Sequence, residues 1–126
     1  MITLINYSIK YSKYLLTLWV CIIIYGCLLP SKDIPEIDIV NIDKVVHLLF
    51  YIGFAYFLRG ATYKKVNEVY TLCVAVVFGI GIELIQGTSL FNRSSSIADV
   101  AANTTGAIIG IIIFKILFSK SSISKS

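Results

Sequence analysis

Charged residues are scarce in this sequence. Of its 126 residues only 14% are Asp, Glu, Lys or Arg, whereas 57% are hydrophobic. An ordinary soluble domain has roughly 25% charged and 45–50% apolar residues. A small soluble domain needs charge to cover its surface. The deficit therefore excludes an ordinary soluble fold and predicts that lipid forms part of the protein's solvent.

Metal and redox motifs are also missing. The three cysteines, Cys21, Cys27 and Cys73, lie in apolar runs at a spacing that matches no zinc or thiol-redox motif. No His-Glu-x-x-His pattern occurs, so the sequence predicts no metal and no cofactor. The net charge of +4 is spread along the chain. Because no basic stripe with interleaved aromatics exists, we expect no nucleic-acid partner.

Four apolar runs account for most of the chain. They cover residues 14–29, 42–58, 69–85 and 100–118. Each is near the lower limit of roughly 17 residues for a membrane-spanning helix. The fold class predicted is an all-α membrane protein, a bundle of four transmembrane helices over residues 1–118. The serine-rich segment 119–126 is predicted to be a disordered cytoplasmic tail.

Charges between the runs predict the orientation. Basic residues lie before the first run, between the second and third, and after the fourth, at Lys10, Lys13, Arg59, Lys64, Lys65, Lys120 and Lys125. The loop after the first run is acidic, and the last loop has one charge of each sign. Cytoplasmic loops carry the excess of Lys and Arg. We therefore expect both termini in the cytoplasm.

The first run has a second interpretation. Lys13, the apolar stretch and residues 24–27 resemble a loose lipoprotein signal peptide that ends at Cys27. Tyr25 is bulky for such a site, and the apolar run continues past Cys27. These features favour an uncleaved span.

Polar residues inside the runs share helix faces. An Asp, Lys or Arg at the centre of a span costs roughly 2.5–3.5 kcal/mol on insertion scales, so such residues are informative. The faces are formed by Asp43, His47 and Tyr51, by Glu83 and Gln86, and by Asp99, Asn103, Gly106 and Gly110. With the predicted orientation all three faces lie on the outer side. They predict one polar pocket there.

Each polar residue also has a structural interpretation. Asp43 and Asp99 fit the first turn of a helix, where the macrodipole favours a negative charge. Asn103 can join two helices by a hydrogen bond, and His47 can be a satisfied core residue. Glu83 has no neutralising neighbour in its local sequence, so it needs a partner from another helix. We expect His47 to be that partner.

Two further pairings are predicted. Arg93 in the last loop is the expected partner of Asp99, six residues further on. Small residues allow helix backbones to approach closely in membranes. Gly79 and Gly81 on the third span, like the two glycines on the fourth, are therefore predicted at helix contacts.

Three spaced motifs carry a family resemblance. They are Asp43-Lys44-x-x-His47, then Glu83-x-x-Gln86, then Arg93-x-x-Ser96-x-x-Asp99-x-x-x-Asn103-x-x-Gly106. In this order and at these separations, over roughly residues 30–110, the chain resembles the VanZ-like family of bacterial membrane proteins. The resemblance implies a multi-pass protein of the bacterial cytoplasmic (inner) membrane. The family's namesake is associated with resistance to the lipid-tailed glycopeptide teicoplanin.

The residues and the resemblance together give a functional expectation. We expect an outer pocket that binds or modifies an envelope lipid or lipid-linked glycan, with membrane lipid, a lipid-linked envelope precursor or a lipoglycopeptide as partner. His47 and Glu83 are the catalytic candidates for acid/base chemistry. The substrate-binding candidates are Asp43, Lys44, Gln86, Arg93, Asp99 and Asn103. Alternatives are a non-enzymatic structural or partner-binding protein and a small transporter subunit, and the oligomeric state is left open.

Overall fold

The described part of the chain is entirely helical. The computed structural model describes residues 2–29, 41–63, 65–88 and 96–123, and these ranges contain no strand. The helices are α1 (Ile2–Lys10), α2 (Ser12–Cys27), α3 (Ile42–Ala61), α4 (Glu68–Gln86) and α5 (Ile97–Ile123). The prediction of an all-helical protein is confirmed, and α2 to α5 correspond to the four apolar runs.

The helix α1 is an addition to the predicted elements. Only Tyr11 separates it from α2. Backbone hydrogen bonds of 3.0 Å from Tyr11 N to Tyr7 O and from Leu15 N to Tyr11 O continue the helical pattern from α1 into α2. The hydroxyl of Ser8 lies 3.3 Å from that of Tyr56 on α3. Polar residues interrupt the apolar pattern in α1, so hydropathy alone did not indicate a helix there.

The helix ends also differ from the predicted bounds. The Asn67 side chain accepts a hydrogen bond of 2.8 Å from the backbone N–H of Tyr70, which caps α4 one residue earlier than predicted. Helix α5 begins at Ile97 and continues to Ile123, into the segment predicted as a tail. Residues 124–126 lie outside the described residues.

Among the described residues, two helices are long and apolar enough to cross a membrane, judged by length and composition. They are Glu68–Gln86 and the segment Ile97–Ser119 of α5. Helix α2 is apolar but shorter, with 16 residues. Helix α3 has 20 residues, about 30 Å at 1.5 Å per residue, but it is not among the helices that meet this test.

Contacts between helix ends show that successive helices alternate in direction. The Gln86 side chain donates a hydrogen bond to the Cys27 carbonyl, which brings the carboxyl ends of α4 and α2 together. Lys115 Nζ lies 3.5 Å from Glu68 Oε1, so the carboxyl half of α5 meets the start of α4. Helices α2 and α4 therefore run one way, and α3 and α5 run the other.

The closest helix pairing is that of α3 with α5. A Cβ on Gly106 would overlap the carbonyl oxygen of Leu48, and one on Gly110 would overlap that of Ile52. Only glycine allows the two backbones to approach this closely. By contrast, a Cβ on Gly81 would meet no atom of the described residues within 4 Å, so Gly81 does not have the predicted packing role in this part of the chain.

These glycine contacts predict opposite results for two alanine substitutions. Gly106→Ala should destabilise the protein by about 1–3 kcal/mol, because the added methyl group overpacks the α3–α5 contact. Gly81→Ala should be neutral or stabilising by up to about 1 kcal/mol, because alanine is the better helix former. Thermal unfolding in detergent measures both. Equal stability of the two variants would contradict the described α3–α5 packing.

Candidate functional site

Four buried polar side chains from three helices meet at one end of the bundle. His47 lies near the start of α3, Glu83 in the last turn of α4, and Asp99 and Asn103 in the first two turns of α5. We call this group the His47 cluster. Its members are between 0% and 7% exposed. Nδ1 of His47 lies 3.0 Å from Asn103 Oδ1 and 3.6 Å from Glu83 Oε1. The predicted partner of Glu83 is therefore in place.

Glu83 also contacts the start of α5. Its Oε2 accepts a hydrogen bond of 3.1 Å from the backbone N–H of Ser96, the residue before α5. In a capping box, Asp99, three residues after Ser96, would accept that N–H. Here Glu83, from the neighbouring helix α4, accepts the Ser96 N–H instead. Its carboxylate also adds a negative charge at the N-terminus of α5.

Asp99 is consequently left without its local partner. Its Oδ1 is buried and has no hydrogen-bond partner among the residues that the structure describes. A carboxylate oxygen of Asp99 lies within 4.8 Å of a ring nitrogen of His47 and of a carboxylate oxygen of Glu83. Asp99 thus occupies the first-turn position predicted for it, and it also belongs to the polar cluster.

Tyr51 extends the cluster one helical turn further along α3. It is fully buried, and its hydroxyl lacks a hydrogen-bond partner within the described ranges. Gly79 packs against both the Tyr51 ring and the Asn103 side chain, so these two side chains are neighbours. We predicted that Tyr51 shares the His47 face but did not include it among the site residues. Its four-residue spacing from His47 was the available signal.

The other predicted site residues lie elsewhere. Asp43 Oδ2 and Lys44 Nζ are 3.3 Å apart and form a partly exposed pair at the start of α3. Gln86 is buried, but its side chain bonds the Cys27 carbonyl and so joins α4 to α2. Arg93 lies outside the described residues, as does its predicted pairing with Asp99.

A cavity of about 160 Å³ opens beside Glu83, between α4 and α5. Its lining consists of Ile80, Glu83, Leu84, Ser96, Ile97 and Val100. Leu84 is 68% and Ile97 is 90% exposed, whereas Glu83 is 3% exposed. The cavity therefore joins a buried carboxylate to an apolar rim on the outside of the bundle.

The distribution of polarity is the reverse of that in a soluble protein. Large apolar side chains such as Leu49, Val77 and Leu84 are more than half exposed, and the imidazole and carboxylates of the His47 cluster are buried. Such an exterior suits lipid, and polar groups in membrane proteins face the interior of the bundle. With two membrane-compatible helices, these features define an all-helical membrane protein.

Comparison with known protein families identifies the family of this chain. A family model described as VanZ/LLP1 matches residues 3–118. Because the match covers most of the chain, the protein belongs to the VanZ/LLP1 family. Neither the curated proteins nor the solved structures contained a match.

The contact between His47 and Glu83 predicts that their effects on stability are coupled. His47→Ala and Glu83→Ala, alone and combined, should give a coupling of about 0.5–3 kcal/mol in detergent unfolding, because each single change leaves a buried polar partner behind. His47→Ala combined with Val77→Ala is the control, since Val77 is 69% exposed on the same helix as Glu83. Additivity of the His47 and Glu83 changes would exclude an energetic link.

Proposed function

We propose that this protein spans the bacterial inner membrane four times and binds the polar head group of an envelope lipid or lipid-linked glycan. The His47 cluster would lie in the outer half of the membrane and hold that head group. The observation that carries the proposal is the cavity beside Glu83, which connects a buried carboxylate with an exposed apolar rim.

The rim of this cavity suits a lipid better than a water-soluble molecule. Leu84 and Ile97 lie on the surface where acyl chains would pack, so a lipid can present its head group sideways between α4 and α5. The volume of about 160 Å³ is more than ten times the minimum of about 10–15 Å³ for one water molecule. A head group of several atoms therefore has room beside Glu83.

Charge at the two ends of the bundle supports the orientation. Arg59 in the last turn of α3, Lys65 after it and Lys115 on α5 lie toward the end opposite the His47 cluster. Cytoplasmic ends of spans are enriched in such residues. This distribution supports the proposed orientation, with the cluster toward the outside and both termini in the cytoplasm.

The chemistry of the cluster allows a reaction as well as binding. His47 can accept and donate a proton, and Glu83 beside it can serve as its acid or base partner. Lys44 and Arg93 are the proposed contacts for an anionic head group. A lipid-tailed glycopeptide of the teicoplanin type has the same combination of polar body and apolar tail, so it is a second possible occupant.

A structural role is the competing function, and one contact favours it. The Ser96 N–H bond to Glu83 joins α4 to α5 irrespective of any ligand. If this is the whole role of Glu83, the cluster is a polar network that fixes the helix arrangement.

Cysteine accessibility tests the orientation. In a background without the three native cysteines, a cysteine at Thr88 should react with an impermeant reagent added to intact cells. A cysteine at Lys65 should react only after the membrane is opened, because the positive-inside rule places it in the cytoplasm. Labelling of the Lys65 position from outside would overturn the proposed topology.

Co-purified lipid tests the head-group site. The wild-type protein should retain a phosphorylated or glycosylated lipid that mass spectrometry finds enriched over the bulk membrane. Glu83→Gln should reduce that enrichment several-fold, whereas Glu68→Gln, at the other end of α4, should preserve it. A wild-type lipid profile identical to that of the membrane would contradict the proposal. Loss of stability in Glu83→Gln with unchanged lipid retention would favour the structural role.

A further inference from the structure

The His47 cluster contains side chains of the kind that bind a divalent metal ion. One donor atom from each of His47, Glu83 and Asp99 lies within 4.8 Å of the other two, and all three residues are buried. Imidazole nitrogen and carboxylate oxygens are established zinc ligands. We propose that these three side chains form a binding site for a divalent transition-metal ion, with Zn²⁺ as the best fit.

The spacing of the donor atoms agrees with such a site. Two ligands bound tetrahedrally at about 2.0–2.1 Å from zinc lie about 3.4 Å from each other. His47 Nδ1 and Glu83 Oε1 are 3.6 Å apart, which is near this value and longer than a normal hydrogen bond. The third ligand atom, from Asp99, lies within 4.8 Å of one ligand atom in each of the other two residues.

The environment of Asp99 supplies independent support. Asp99 is only 7% exposed, and its Oδ1 finds no hydrogen-bond partner in the described part of the chain. The Ser96 N–H that would have been its local partner is bonded to Glu83 instead. Two buried carboxylates this close repel each other, and a cation between them removes that cost. A metal ion would neutralise the charge of both carboxylates and give Asp99 Oδ1 a partner.

The remaining contacts favour zinc over the alkaline-earth ions. Ca²⁺ and Mg²⁺ prefer oxygen ligands and, for Mg²⁺, several waters, whereas an imidazole suits zinc. His47 Nδ1 also lies 3.0 Å from Asn103 Oδ1, and metal binding through Nδ1 would replace this hydrogen bond, because one ring nitrogen cannot donate a hydrogen bond and ligate a metal at the same time. Three protein ligands leave a fourth position, which the neighbouring cavity can supply with water or substrate.

Separation along the chain explains why no metal site was predicted from the sequence. The three ligands belong to three different helices, at positions 47, 83 and 99, so no local spacing motif exists. The site also has a consequence that depends on the proposed function. A bound Zn²⁺ would offset the negative charge of the two carboxylates and offer its open coordination position to a phosphate oxygen of the head group.

Zinc content tests the site without any lipid. The full chain, free of affinity tags, is purified in detergent, stripped with a chelator and titrated with Zn²⁺. The wild type should take up one zinc per chain, with a rise in thermal unfolding temperature that EDTA reverses. Asp99→Asn and Glu83→Gln should each weaken binding by at least about tenfold, since even lost outer contacts cost metal sites 10–100-fold. Glu68→Gln should bind like the wild type.

Several outcomes would overturn the inference. These are substoichiometric zinc in the wild type, unchanged binding in Asp99→Asn, or equal weakening in Glu68→Gln. If the substituted proteins do not fold, X-ray absorption on the wild type decides, because the site predicts nitrogen and oxygen ligands and cysteine sulfur would contradict it. Zinc binding without lipid enrichment would refute only the proposed function, and lipid enrichment without zinc would refute only the metal site.

Discussion

An imidazole and two carboxylates cannot face hydrocarbon without partners, and this constraint accounts for much of the packing of α3, α4 and α5. A single such group at the centre of a span costs roughly 2.5–3.5 kcal/mol on insertion scales. His47, Glu83 and Asp99 come from three helices and are all buried at the same end of the bundle. Their mutual proximity fixes the rotation of each helix about its axis, because any other rotation would expose one of them to lipid.

The same need to bury polar side chains explains the glycines at the contact between α3 and α5. For His47 to reach Asn103 with a hydrogen bond of 3.0 Å, α3 and α5 must lie close together. Gly106 and Gly110 permit that approach, since each faces a backbone carbonyl of α3. The polar contact gives the pairing its specificity, and the small residues make the necessary distance accessible.

Apolar runs and periodicity in the sequence were enough to predict α2 to α5 and the polar faces of the site, but not α1. The four-residue spacings on α3 and α5 placed His47 and Asn103 on inward faces, and the lone Glu83 required a partner. Periodicity could not reveal which neighbour takes each hydrogen bond. The Ser96 N–H goes to Glu83 rather than to Asp99, and Lys44 pairs with the adjacent Asp43. Such choices depend on the distance between helices, which one chain's sequence does not encode locally.

The two ends of the bundle differ in how far their ionisable side chains are exposed, and this difference bears on function. At one end Lys115 and Glu68 form an exposed pair and Arg59 lies over the rings of Tyr63 and Phe114, so each charge is either hydrated or covered by an aromatic face. Surface pairs of this kind contribute about 0–1 kcal/mol and serve mainly to anchor a helix end. At the other end the side chains of the His47 cluster are buried, and Asp99 Oδ1, Asn103 Nδ2 and the Tyr51 hydroxyl lack hydrogen-bond partners within the described ranges. Leaving a buried polar atom unsatisfied costs about 1–3 kcal/mol. A purely structural network would be expected to satisfy its own members, so this remaining hydrogen-bonding capacity is the physical argument that the His47 cluster receives a ligand.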